Sequence, residues 1–262
     1  MNSVVRVVWQ GGTGVRIAPD VYLIGSGRVG FMLSDTFDCN VYALRTAEGV
    51  ALFDCGAGMG MAQMVGHLLD DGLDPADVRW LLLTHGHGDH AGGGAAARQA
   101  FPGLRIAASA RVAAWMRDAD EGSIGLRAAR AAGIYPANYC LRAFEVDRVM
   151  GEGERLTLGA HALEVLETPG HSDGHLCFMT HCDGGTYLFS GDQVFHGGKI
   201  LIQNIPDCRL ANYAASMAKL AGRGVTHLFP GHMAFVLRDG QAHIDRANAI
   251  FASMGIPPNI TD

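Results

Sequence analysis

No run of 18 apolar residues occurs in the 262-residue chain, so a membrane-spanning helix is not expected. Runs of lysine or arginine are also missing, and the formal net charge is −6 with a pI near 6.0. Phosphate binding needs clustered cations, which argues against nucleic acid as a partner. Cysteine is sparse. Cys39, Cys55, Cys140, Cys177, Cys182 and Cys208 are scattered without a CxxC pair. Neither a disulfide framework nor a thiolate zinc site is expected, and most of the six read as small buried apolar residues. The stretch Met1–Gly12 lacks a charged start followed by a long apolar segment, so a cytoplasmic enzyme is expected. Repeats, low-complexity runs and long linkers are absent too.

What is present suits a large buried core. The chain is 48% hydrophobic and 18% charged, and its length fits one α/β domain over 1–262. Glycine is frequent at 36 residues, much of it beside polar motifs where the backbone must turn sharply.

Short apolar runs bounded by Gly, Asp and Thr predict strands at Val21–Ile24, Phe31–Leu33, Asn40–Leu44 and Val50–Phe53, arranged as an antiparallel meander. Helical spacing of Met59, Met61, Met64, Val65, Leu68 and Leu69 predicts a helix over 58–69 with its methionines in the core. Further strands are expected at Trp80–Leu83, Ile106–Ala108, Arg155–Leu158, Ala162–Glu167, Leu176–Thr180, Thr186–Ser190 and Thr226–Phe229. Helices are expected at about 92–100, 210–221 and 241–254. A helical stretch over 109–132 is interrupted near Asp120–Ser123. Strands followed by a helix, in two halves, predict two packed sheets with helices outside.

One segment carries most of the chemistry. Residues 84–93 read Thr-His-Gly-His-Gly-Asp-His-Ala-Gly-Gly and place His85, His87, Asp89 and His90 within six positions. Chance placement of that pattern in a chain with 12 histidines has odds of about two in a thousand. His85 and His87, two apart on extended backbone, point the same way, while Asp89 and His90 follow at the turn. Imidazole and carboxylate ligands suit a borderline cation such as zinc. Three more strand ends carry candidate ligands: His171, Asp192 and His232. Seven ligands are too many for one tetrahedral ion and fit two ions bridged by a carboxylate and a hydroxide.

The runs Thr-His-Gly-His-Gly-Asp-His-Ala-Gly-Gly, Thr-Pro-Gly-His-Ser-Asp-Gly-His, Ser-Gly-Asp and Pro-Gly-His, in that order over about residues 20–240, resemble the metallo-β-lactamase superfamily. The resemblance implies an αββα sandwich, two mixed sheets flanked by helices, with metals at one edge. It assigns His85, His87 and His171 to a first metal, Asp89, His90 and His232 to a second, and Asp192 to the bridge. Asp192 stands where true β-lactamases often have cysteine, which points away from dedicated antibiotic hydrolysis. The pattern is closer to hydroxyacylglutathione hydrolases (glyoxalase II) and lactonases.

The resemblance also gives Asp54 the task of orienting a metal-bound imidazole; the alternative is an Asp capping the following helix. His175 is expected to hydrogen-bond rather than ligate. His67, His161, His181, His227 and His243 read as surface or structural. His196 is an open substrate-contact candidate. The segment 109–140, with Trp115, Ile134, Tyr135 and Tyr139, is read as a helical cap, and Tyr135 and Tyr139 as substrate contacts; the alternative is an ordinary helix pair.

The implied activity is hydrolysis. A hydroxide shared by two divalent ions, zinc first with iron or manganese as other candidates, attacks a small-molecule thioester, lactone or ester, with Asp89 handling the proton. A mononuclear-iron sulfur dioxygenase of the same fold is the runner-up, and β-lactam cleavage is a conceivable side activity. A non-catalytic metal-binding protein would not need seven ligands. Self-association into a homo-oligomer is left open.

Overall fold

The computed structural model describes residues 15–261, so the reading of Met1–Gly12 lies outside the described residues. The first half builds a seven-stranded sheet in chain order: β1 (Val15–Ala18), β2 (Val21–Gly25), β3 (Val41–Thr46), β4 (Gly49–Phe53), β5 (Val78–Leu82), β6 (Arg105–Ala108) and β7 (Arg148–Val149). The first four pair antiparallel, and β4 through β7 pair parallel. Parallel pairs need crossovers, supplied by α1 (Met61–Asp70), α2 (Gly88–Ala91), α3 (Gly94–Ala100), α4 (Ala110–Asp118) and α5 (Leu126–Ala131).

The second half adds a five-stranded sheet from β8 (Arg155–Leu158), β9 (His161–Glu167), β10 (Leu176–Cys182), β11 (Gly185–Gly191) and β12 (His227–Pro230), in the order β12-β11-β10-β9-β8. Its outer face is covered by α6 (Leu210–Leu220) and α7 (Gly240–Ala252).

The period-two alternation of strand residues explains the layers. Tyr42, Leu44, Ala51 and Phe53 of the first sheet meet Phe178, Tyr187, Phe189 and Phe229 of the second in the central core. The Phe53 and Phe189 rings stack across this seam with centroids 3.5 Å apart. Alternate residues Val41, Ala43, Val50 and Leu52 face the helices of the first half. Cys177, Met179 and Leu188 pack against Tyr213, Met217 and Ile244 of α6 and α7. The architecture is the expected αββα sandwich.

Several local expectations are corrected. Phe31–Leu33 is not a strand. Its backbone bonds locally, Phe31 N–H to Ser26 Oγ at 2.7 Å and Leu33 N–H to the Ser26 carbonyl at 2.8 Å, so the apolar triplet lies in the 26–40 loop. Met61 and Met64 are buried as expected, but Met59 precedes α1 and is exposed. In 109–140, α4 buries Val112, Trp115 and Met116 under the first sheet, so this half is a packing layer rather than a cap. Cys39, Cys55 and Cys177 are buried, Cys140 is exposed, and all six thiols are free.

Candidate metal centre

The parallel pairs β4–β5 and β11–β12 end at the same edge of the sandwich, and that edge carries the polar motifs. β5 runs through Leu83 and Thr84 into His85, and the single turn α2 then sets Asp89 and His90. The turn is tied to the core by Cys55 N–H to the His90 carbonyl at 2.9 Å and Cys39 N–H to the Asp89 carbonyl at 3.2 Å. His171 and His175 come from the loop between β9 and β10, Asp192 follows β11, and His232 follows β12. Leu176 N–H donates to the Thr84 carbonyl at 2.7 Å, and Asn40 N–H to the Gly231 carbonyl at 2.6 Å. These bonds stitch the two sheets together around the site.

All seven predicted ligands are brought together. Possible ligand atoms of His85, His87 and His171 lie within 4.8 Å of one another, and so do those of Asp89, His90 and His232. Asp192 reaches both groups. Its Oδ1 is 3.3 Å from His90 Nε2, and its Oδ2 is 3.3 Å from His232 Nε2 and 3.5 Å from His171 Nε2.

Proton bookkeeping tests whether a cation fits. Thr84 Oγ1 donates to Asp54 Oδ2 at 2.8 Å, so it can accept from His85 Nδ1 at 3.0 Å. His87 Nε2 faces Asp207 Oδ2 at 3.0 Å, and His171 Nδ1 faces the Leu201 carbonyl at 2.8 Å. Each ring thus spends its N–H on an outward acceptor. The inward nitrogens are then bare lone pairs, with His87 Nδ1 at 3.1 Å from His85 Nε2 and 2.9 Å from His171 Nε2. Buried lone pairs cannot satisfy one another; a cation satisfies them all. Asp192 Oδ1, buried without a hydrogen-bond partner, makes the same case. The residues fit divalent metal.

The electrostatics differ between the groups. Burial pushes His85 well below the ordinary imidazole range and His171 down to about 4, with neighbouring histidines adding to the effect. These rings are neutral at neutral pH, as a metal-binding imidazole must be. Burial also acts to lower His232, but Asp192 and Asp89 overcome it and raise it to about 9. His90 is likewise raised against burial by the carboxylates of Asp192, Asp89 and Asp54. The Cys39 thiol near His90 is itself pushed up to about 12 by burial, so it stays protonated rather than becoming a thiolate ligand.

Asp54 sits at φ +60°, an unusual conformation for a non-glycine residue. Three bonds of 2.8 Å hold it there, from Thr84 N–H, Thr84 Oγ1 and His90 Nδ1. It does not cap α1, whose capping position is Gly60. His175 accepts from Asp192 N–H at 3.2 Å through Nε2 and meets Thr168 Oγ1 at 2.9 Å through Nδ1, leaving no nitrogen for a metal.

A cavity of about 460 Å³ opens onto His87, Asp89 and His232, and residues 124–135 form one of its walls. Tyr135 lines it, stacked on Tyr139 at 4.9 Å; burial and the nearby Asp89 raise its phenol well above the ordinary range. Tyr139 is not on that lining. Its hydroxyl lies 3.0 Å from the Ala57 carbonyl and 3.2 Å from the Gly88 carbonyl, which makes it a clamp on the ligand loop instead of a substrate contact. His196 is also elsewhere, exposed and paired with His243 at 4.8 Å, so the substrate-contact expectation does not hold. His67 bonds the Ile24 carbonyl at 2.7 Å in the core, His181 meets Thr186 at 3.0 Å, and His161 and His227 also sit away from the centre.

The sequence reading missed Asp207 and the Leu201 carbonyl. Both lie in the 201–209 segment before α6, where Ile205-Pro206-Asp207 has no ligand-like spacing to announce it.

A family model described as the metallo-beta-lactamase superfamily matches residues 34–232. The chain belongs to the metallo-beta-lactamase superfamily. It is a metal-binding hydrolase of that superfamily. Among similar proteins, the acyl-coenzyme A thioesterase MBLAC2 of Gallus gallus is 30% identical over 209 residues, covering 74% of this chain and 72% of that protein. The hydroxyacylglutathione hydrolase of Klebsiella pneumoniae is 31% identical over 118 residues, 45% of this chain, and the match spans only 34% of that protein. In fold, a metallo-beta-lactamase from Cronobacter sakazakii superposes with a TM-score of 0.70 at 20% identity, covering 92% of this chain and 96% of that one. A superfamily protein from Thermus thermophilus gives 0.69 at 24% identity, covering 90% and 80%. Among the described residues, no helix is long and apolar enough to cross a membrane.

Proposed function

We propose that this superfamily member is a binuclear hydrolase of acyl compounds, with a thioester as first candidate and a lactone or ester next. The observation that carries the reading is Asp192, one buried carboxylate lying between two histidine groups. The thioesterase name of a relative at 30% identity favours the thioester. His85, His87 and His171 would hold one ion, Asp89, His90 and His232 the other, with Asp192 shared. Two zinc ions bound there would supply Lewis acidity and lower the pKa of a water toward ~7.

The chain's own groups do the rest. Asp54 aims His90, Asp207 aims His87, and His175 fixes the backbone of Asp192. Asp89 faces the cavity, where its carboxylate can take a proton from the attacking water and pass it to the leaving sulfur or oxygen. The acyl carbon gains the water oxygen as its bond to the leaving group breaks. The Tyr135 hydroxyl stays protonated and is placed to donate to negative charge developing near Asp89.

The test is metal content by mass spectrometry together with turnover of thioester, lactone, ester and β-lactam panels. Two zinc ions per chain, loss of at least one in Asp192→Ala, and thioester or lactone cleavage are expected. A single iron with oxygen consumption and no hydrolysis would establish the sulfur dioxygenase alternative instead.

A further inference from the structure

We propose that the cavity beside the metal centre seats a linear aliphatic acyl chain, the acid half of the substrate. This rests on the hydrolase reading above and goes beyond it by naming what the cavity selects. The cavity holds about 460 Å³, and the candidate ligands His87, Asp89 and His232 lie on its lining. One wall is Ile124, Leu126, Ala128 and Ala132; Leu201 and Ile205 also line it. Val29 and Ile134 line it as well and remain 44% and 46% exposed, apolar surface that an apolar ligand would cover.

Charge points the same way. Among the described residues, Arg28 is the only lysine or arginine on the lining. A peptide thiol with two carboxylates, seated wholly inside, would leave an anion without a cationic partner. A hydrocarbon chain has no such cost. Ala128 and Ala132, one turn apart on the α5 segment, keep that wall low, so chain length is limited there by side-chain size. Each methylene moved from water into the cavity is worth about fourfold in kcat/KM.

The experiment uses the full chain. Thioesters of a small neutral thiol from acetyl to dodecanoyl length, and γ-lactones from four to twelve carbons, are compared on the zinc-loaded protein. Dodecanoate and acetate are titrated calorimetrically into the metal-free protein. Expected are a rise of kcat/KM of about fourfold per methylene until the cavity fills, in whichever of the two series is cleaved, and binding of dodecanoate but not acetate. Ala128→Trp, at an exposed helix position, should cut the dodecanoyl-to-acetyl ratio at least tenfold and weaken dodecanoate binding; Ala132→Phe is the second variant. A flat chain-length profile, or dodecanoate binding untouched by both variants, overturns the assignment. If no acyl compound is cleaved, the hydrolase reading fails, and dodecanoate binding to the metal-free protein still decides what the cavity takes.

Discussion

Asp207 shows what a single residue contributes here and why it was hard to foresee. Burial opposes its ionisation, but hydrogen bonds from His87 and Ser172 hold its carboxyl below the ordinary range. A charged acceptor on His87 Nε2 fixes the tautomer that turns Nδ1 inward. Asp207→Asn keeps the size and loses the charge. Zinc affinity, measured by chelator competition, should weaken by about 10–100-fold at one position, with the circular dichroism spectrum unchanged. An affinity equal to the parent's would show that Asp207 serves only the loop. His85, His87, Asp89 and His90 were legible because they fall in one short run, where spacing alone is improbable. Asp207 lies 120 positions from His87 and becomes its partner only when the second half folds against the first. Asp54 stood between two readings, and geometry separated them: its carboxylate meets His90, while α1 begins at Met61.

At the level of elements, the strand ends matter more than the strands. Gly231 links β12 to His232, and its N–H donates to the Gly191 carbonyl at 2.8 Å. A Cβ there would collide with Asp192 Oδ1 and lie 2.5 Å from His90 Cε1. Gly231→Ala should therefore displace two candidate ligands at once. We predict loss of at least one equivalent of bound zinc and a stability cost of about 1–3 kcal/mol, read by metal analysis and thermal melting. Retention of both ions would mean that the loop yields without moving the carboxylate. The strands themselves were readable where both faces are buried in apolar layers, as in β3, β4, β10 and β11, because short continuous apolar runs and β-branched or aromatic residues agree. β7, Arg148–Val149, has two residues and no period to detect. Phe31–Leu33 misled for the opposite reason: Ser26 and Gly27 draw its backbone into a loop that tolerates exposed apolar side chains, Phe31 at 43% and Met32 at 58%.

Over the whole molecule, the metal centre is also a charge balance that the fold must maintain without metal. In the metal-free protein, His90 and His232 stand as cations against Asp89 and Asp192, whose carboxyls those partners hold well below the ordinary range despite burial. Each sheet contributes one cation and one anion, Asp89 and His90 after β5, Asp192 and His232 after β11 and β12, and the close pairs His90–Asp192 and His232–Asp89 make the balance act across the sandwich. His232 is raised to about 9 from an ordinary 6.5. Its contribution to stability is therefore complete below about pH 6.5 and lost as pH rises through about 9. The depressed carboxyls act in the other direction: their contribution is present above their ordinary pKa near 3.8 and disappears in acid. Buried His85, His171 and His175, whose imidazoles are lowered, act the other way below about pH 6.5, because only the unfolded chain then takes up their protons. Metal-free protein should thus be most stable near about pH 6.5, and its melting temperature should fall by about 5 °C between pH 6.5 and 9. Zinc takes the place of the proton and binds neutral imidazole, so its affinity rises across the same interval. The loaded protein should hold its melting temperature while the metal-free protein loses it, and the gap between them should widen with pH. His232→Asn should remove about half of the metal-free slope, the rest coming from His90, which is raised in the same direction. A parallel fall in both forms would mean that the proton on His232 does not compete with the metal, and would remove this residue from the second ligand group.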